Sequence, residues 1–230
     1  MIKKLYLTPF LLLLIVTVSC AQKEKTSYLA LGDSYTIGES VADDLRWPVQ
    51  LVQKLNNSGF SVQPPEIIAK TGWTTNELQA AIAKEKPKNN FDLVSLLIGV
   101  NNQYRGYPIE QYTKEFTELL KQAISFANDN PKNVFVVSIP NYGVTPFGMG
   151  KGEDKIRQEL LIYDSIADSI SSEFNISFIN ITPVSEKAKE DPTYIANDQL
   201  HPSGKQYTEW VDLILPRVKT ILKTTQKKSE

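Results

Sequence analysis

Five short stretches of this chain, residues 28–31, 66–69, 93–98, 134–139 and 176–179, are apolar at most successive positions. A strand with one wet face alternates apolar and polar residues, whereas a strand covered on both faces has no need to. Longer amphipathic stretches follow the runs, at 48–55, 75–83, 109–127, 154–173 and 202–222. In "IRQELLIYDSIADSI", for example, apolar residues recur every three or four positions, the period of a helix lying on a sheet. Strand and helix signals alternate without a linker or an internal repeat. That order predicts an α/β fold in three layers, with a doubly wound, mainly parallel sheet of five strands. Such a sheet gathers its loops at one edge, where motifs far apart in sequence can meet.

The chain has 230 residues, 41% hydrophobic and 22% charged, enough for one domain with a full core and unlike a disordered or fibrous protein. Its beginning reads separately. Lys3 and Lys4 precede an apolar run over 5–18 that only Thr8, Pro9 and Thr17 interrupt, and Ser19-Cys20 closes it. A charged start, an apolar stretch too short to span a bilayer and small residues at a cut site predict an export signal over 1–19. Cys20 is the sole cysteine of the sequence. It stands where a lipoprotein signal puts its acylated residue, and the site resembles a bacterial lipobox with Thr17 where leucine is usual.

The expected organisation is therefore a signal peptide (1–19), a lipidated Cys20, a tether (20–26), a folded domain (27–225) and a polar tail (226–230). The mature protein is expected in the periplasm or at the cell surface, touching membrane only through the lipid on Cys20. No later segment is long and apolar enough to cross a bilayer. The formal net charge is −1, which offers nothing to nucleic acid or to an anionic membrane surface. No disulfide can form within the domain, and no thiol remains there for catalysis.

The first apolar run ends in "YLALGDSYT", residues 28–36. Gly32, Asp33 and Ser34 are common turn residues, and they also suit a nucleophile held at the carboxyl end of a strand, where open α/β sheets bind ligands. A nucleophilic serine needs a base, and His201 is the only imidazole in the sequence. Asp198, three residues earlier, can reach Nδ1–H of that ring and leave Nε2 as the base. Pro202 suits the first turn of the last helix, which would hold His201 at a defined place. Donors for an oxyanion are at hand in the backbone N–H groups of Ser34 and Gly72 and in the side-chain amide of Asn101. With one histidine and one cysteine, neither a zinc site nor a cofactor is expected. A Gly-x-Ser-x-Gly elbow is absent. "GMGKG" at 148–152 is neither a dinucleotide nor a Walker loop, and its glycines read as flexibility beside the cleft.

Four blocks in order resemble the SGNH hydrolases, the GDSL esterases and lipases. "GDSYTIG" is similar to the nucleophile block with Tyr35 for the usual leucine. Gly72 falls at the second block, and "GVNN" at the third with Asn102 for the usual aspartate. "DQLH" with "PSG" matches the block of the acid and base. The resemblance runs from residue 29 to about 204. It implies the flavodoxin-like SGNH fold, Ser34 as nucleophile, His201 as general base and acid, and Asp198 as its orienting partner. Ser34, Gly72 and Asn101 would form the oxyanion hole. The implied reaction is cleavage of an acyl ester through an acyl-enzyme, on a carbohydrate acetyl ester, a lysophospholipid or another small ester. Trp73, Tyr104, Arg105 and Tyr107 are substrate-pocket candidates by their place beside the oxyanion donors, and Arg105 has Glu39 as an alternative partner. Two other readings stay open: acyl transfer to a sugar hydroxyl, and a surface lipoprotein that binds carbohydrate or protein without turnover.

Overall fold

A computed structural model describes residues 25–226. The export signal, Cys20 and residues 227–230 of the tail lie outside the described residues. Five strands form one sheet: β1 (Tyr28–Gly32), β2 (Glu66–Ala69), β3 (Leu93–Leu97), β4 (Val134–Val137) and β5 (Ser177–Ile179). Their order is β2-β1-β3-β4-β5, and each neighbouring pair runs parallel. The central strands β1, β3 and β4 are buried at every position, as their unbroken apolar runs require. The edge strands β2 and β5 are only partly covered. Thr26, within the stretch read as a tether, already bridges to Val62.

The helices are α1 (Ser34–Ile37), α2 (Trp47–Asn57), α3 (Thr75–Glu85), α4 (Val100–Tyr104), α5 (Ile109–Phe126), α6 (Pro146–Met149), α7 (Glu153–Glu173), α8 (Thr182–Ser185) and α9 (Gly204–Gln226). On one side α2 packs on α9, burying Trp47, Leu51 and Leu55 with Trp210, Ile214 and Val218. Each such side chain contributes roughly 1.5–3 kcal/mol by leaving water. On the other side α5 lies between α3 and α7. Chain direction across the sheet reverses between β1 and β3, the switch point where a doubly wound sheet opens a crevice.

Two boundaries differ from the sequence reading for local reasons. The fourth strand ends at Val137 because the N–H of Ile139 leaves the ladder for Asp164 Oδ1 at 2.8 Å. The last helix begins at Gly204 because Pro202 pairs with Ile195 in an antiparallel bridge. His201 is thus held by that bridge and its turn rather than by the helix entrance.

Asp164 also sets a pH dependence. Burial pushes its carboxyl from the ordinary 3.8 up to about 7, against the N–H of Ile139 and the hydroxyl of Thr182. Burial likewise drives Asp33 up to about 7 against the N–H of Tyr35. Between about pH 4 and 7 the folded chain keeps protons that the unfolded chain has shed. The contribution is therefore full below about pH 4 and is lost as pH rises through about 7. Thermal melts should show the wild type less stable at pH 8 than at pH 5. Asp164→Asn keeps an acceptor for Ile139 and should narrow that gap by a few degrees, at about 2–4 °C per kcal/mol for a domain of this size. An equal gap in both proteins would remove Asp164 from this role.

Candidate active site

β1 delivers the chain into Asp33, whose Oδ1 accepts the N–H of Tyr35 at 3.0 Å and caps α1. Ser34 is the first residue of that short helix and only 4% exposed. Its backbone N–H, at the first position of the helix, has no intrahelical acceptor to meet.

After β2 the chain turns at Gly72, with φ at +86° and no side chain to obstruct its N–H. After β3, Asn101 enters α4 and donates from Nδ2 to the carbonyl of Trp73 at 3.0 Å. A primary amide carries two N–H bonds, so this contact fixes the group and leaves the second donor free. Asn102 is fully buried beside it. Its Oδ1 accepts from the N–H of Thr75 at 3.0 Å, and its Nδ2 donates to Thr75 Oγ1 at 2.7 Å. The Thr75 hydroxyl passes its own proton toward Glu115. An aspartate has only acceptors and would claim that proton for itself, so Asn102 joins α4, α3 and α5 in a chain that the usual residue would interrupt.

The segment before α9 brings the remaining groups. Asp198 Oδ2 lies 2.6 Å from His201 Nδ1 and 2.7 Å from Ser40 Oγ. Its Oδ1 accepts the N–H groups of Leu200 at 3.0 Å and His201 at 2.9 Å. Burial pushes the Asp198 carboxyl up, but the donors from His201, Ser40 and Leu200 outweigh it and hold the group down at about 2. An ionised carboxylate can only accept, so Nδ1 carries the ring proton and Nε2 presents a lone pair. The ring of Tyr35 meets the imidazole edge-on, with centroids 5.7 Å apart.

These groups share one cavity of about 150 Å³, lined by Ser34, Gly72, Asn101 and His201 and walled by Tyr35, Tyr104, Tyr142 and Phe147. Among the described residues no hydrogen bond joins Ser34 Oγ to the imidazole. A larger cavity of about 420 Å³, between α7 and the end of β5, is lined by Arg157, Asp164, Asp168 and Asn180. It holds no serine–imidazole pair, so the chemistry points to the smaller one.

Of the pocket candidates, Tyr104 lines this cavity and Trp73, Arg105 and Tyr107 do not. The indole of Trp73 packs against the core. Arg105 donates to the Gly72 carbonyl at 2.6 Å and pairs with Glu77 at 3.2 Å. Glu39, its alternative partner in the sequence reading, instead accepts from Thr71. Tyr107 borders a separate cavity with Gln103 and Glu159. Tyr142 and Phe147 were not singled out in the sequence, although both lie in the long loop after the fourth strand. Of the "GMGKG" glycines only Gly148 is packed; Gly150 and Gly152 are exposed, with open space or only a distant neighbour where a Cβ would sit. A Cβ on Gly148 would sit 2.0 Å from the Tyr142 carbonyl oxygen, and Lys151 Nζ lies 4.8 Å from the centre of the Phe147 ring.

The model of the GDSL-like lipase/acylhydrolase family matches residues 30–208. An arylesterase of Vibrio mimicus is 31% identical over 137 residues, which are 57% of this chain and 65% of that protein. The chain thus spans just under two thirds of that curated relative. Among solved structures, TesA superposes with a TM-score of 0.65 at 16% identity, covering 85% of this chain and 99% of TesA. The psychrotrophic esterase EstA from Pseudoalteromonas sp. gives 0.63 at 18% identity, with 86% and 100% covered. The acetyl-xylooligosaccharide esterase Axe2 of Geobacillus gives 0.59 at 19%, with 84% and 94% covered. These likenesses establish the fold as that of the SGNH hydrolases. With its four ordered blocks and a match over most of its length, the chain belongs to the GDSL-like lipase/acylhydrolase family.

Proposed function

We propose that this chain is an exported serine esterase that cleaves esters of short acyl groups through an acyl-enzyme. What carries the reading is that one cavity is lined by a near-buried serine, by Gly72 and Asn101, and by an imidazole paired with an ionised carboxylate. In the reacting complex Ser34 Oγ has to come within about 2.6–3.2 Å of Nε2, which takes its proton as Oγ attacks the ester carbonyl carbon. The N–H groups of Ser34, Gly72 and the Asn101 amide receive the oxyanion. The C–O bond to the alcohol then breaks, and the alcohol leaves with the proton from His201. Water, deprotonated by the same nitrogen, attacks the acyl-enzyme and frees the acid and Ser34.

The cavity is smaller than the roughly 300–1,000 Å³ of sites for drug-sized ligands, and its walls are aromatic. That suits an acetyl or similar short acyl group. The arylesterase relative supports ester hydrolysis. The test is a series of p-nitrophenyl esters with the purified mature protein. kcat/KM should be highest for acetate to butyrate and fall steeply by octanoate, and an optimum at long chains would refute the acyl assignment. Asn101→Ala should lower kcat about 10²–10³-fold with little change in KM, the usual effect of losing one oxyanion donor. Unchanged kcat would take Asn101 out of the hole.

The proposal includes export by residues 1–19 and a lipid on Cys20. No helix among the described residues is long and apolar enough to cross a membrane. Cells fed labelled palmitate should mark the wild type and not Cys20→Ser. Equal labelling, or none, would remove the lipid anchor from the proposal.

A further inference from the structure

The seven residues from Ser34 to Ser40 touch both the Gly72 loop and the acid–base loop. The N–H groups of Gly38 and Glu39 both donate to the Ser34 carbonyl at 3.0 Å, folding the segment back on the nucleophile turn. Glu39 accepts from the hydroxyl of Thr71, the neighbour of Gly72. Ser40 reaches 158 residues along the chain to donate to Asp198 Oδ2 at 2.7 Å. That oxygen is also the one that faces His201 Nδ1. Ser40 makes this contact from φ +64°, a left-handed conformation in which serine is strained and glycine is not. A glycine would hold the turn with less strain, so the hydroxyl is what serine adds there.

We propose that Ser40 is a positioning residue for the Asp198–His201 pair, fixing the carboxylate in the rotamer that meets Nδ1 and tying the acid–base loop to the nucleophile turn. The inference rests on the esterase reading above. No hydrogen bond joins Ser34 Oγ to the imidazole among the described residues, so the Ser40–Asp198 contact is the direct polar link between the two loops. A carboxylate held by one fewer donor samples other rotamers, and the ring it orients turns with it. Misplacement of a reacting group by about 1 Å can cost up to about 10²-fold in rate. Ser40 is exposed, and its hydrogen bond competes with water, so an effect of about tenfold is expected.

Three variants and one spectrum test this. Ser40→Gly removes the hydroxyl while suiting the turn, Ser40→Ala removes it in a strained turn, and Ser40→Asn keeps a donor on a side chain that tolerates φ above zero. With p-nitrophenyl acetate, Ser40→Gly should melt at or above the wild-type temperature, keep KM within about twofold and lose about tenfold in kcat. Ser40→Ala should lose as much kcat and also melt lower, and Ser40→Asn should recover most of the kcat. His201 is the only histidine, so its Nδ1–H proton is the one low-field imidazole signal to follow by NMR. It should shift or broaden in Ser40→Gly and return in Ser40→Asn. Wild-type kcat in a folded Ser40→Gly, a loss confined to KM, equal losses in Ser40→Gly and Ser40→Asn, or an unmoved Nδ1–H signal would each overturn the proposal. A wild type that neither turns over esters nor reacts with a fluorophosphonate would instead sink the esterase reading.

Discussion

Ser34→Ala should lower kcat by about 10⁵–10⁶-fold, the scale seen when a serine nucleophile is removed from a working triad. The size follows from what the variant keeps. Residue 34, Gly72 and Asn101 still line the cavity, so on the proposed reading a substrate still binds with its carbonyl among their donors. Residual catalysis of about 10³–10⁴ over water is the expected remainder. KM should change little, because the lost atom forms its bond during reaction. The hydroxyl makes no hydrogen bond among the described residues, so its removal should leave the melting temperature within a degree or two. Fluorophosphonate labelling gives a second readout: the wild type should be modified once, and Ser34→Ala not at all. Retention of a tenth of the activity would end the assignment of Ser34. A wild type inert to both probes would favour a binding protein built on a hydrolase fold.

The architecture was legible because it rests on local patterns. β1, β3 and β4 are buried at every position, and continuous apolar runs announce that directly. Asp198 and His201 are three residues apart, so their contact at 2.6 Å is a local turn and can be inferred from spacing. Ser40 is different. Its partner is 158 residues away, and nothing in "GES" distinguishes a hydroxyl aimed at a distant carboxylate from an ordinary turn. Arg105 fails in the opposite sense. A guanidinium beside the oxyanion donors suggests a substrate contact, yet the nearest acceptors are the Gly72 carbonyl and Glu77. Composition cannot say which of several acceptors a long side chain meets first. The "GMGKG" stretch shows the same limit, since glycine serves both loose and very tight backbone: Gly148 lies against the Tyr142 carbonyl, while Gly150 has open space around it. Pro202 allowed a helix start by its fixed φ, but its bridge to Ile195 required the third dimension.

Asp198→Asn should lower kcat by about 10⁴-fold while leaving the fold intact. The isosteric amide can still accept the N–H groups of Leu200 and His201 through Oδ1, so the turn has no reason to open. Its Nδ2 then faces Nδ1 of the ring and can only donate. The imidazole must answer by placing its proton on Nε2, the nitrogen that has to take the proton from Ser34. The imidazolium formed on attack also loses its counter-charge. This loss should appear over nearly the whole accessible pH range. Burial raises the Asp198 carboxyl, but the donors from His201, Ser40 and Leu200 bring it down to about 2, so the wild-type carboxylate is ionised at any pH above about 3. Wild type and variant should therefore differ by the full factor on the alkaline plateau of kcat/KM, where an imidazole is neutral in both, and equal plateaus would take Asp198 out of its role. The nucleophile and its base act as a unit, so Ser34→Ala combined with Asp198→Asn should be scarcely slower than Ser34→Ala alone. Full additivity of the two losses would mean that Asp198 serves something other than the proton path between His201 and Ser34.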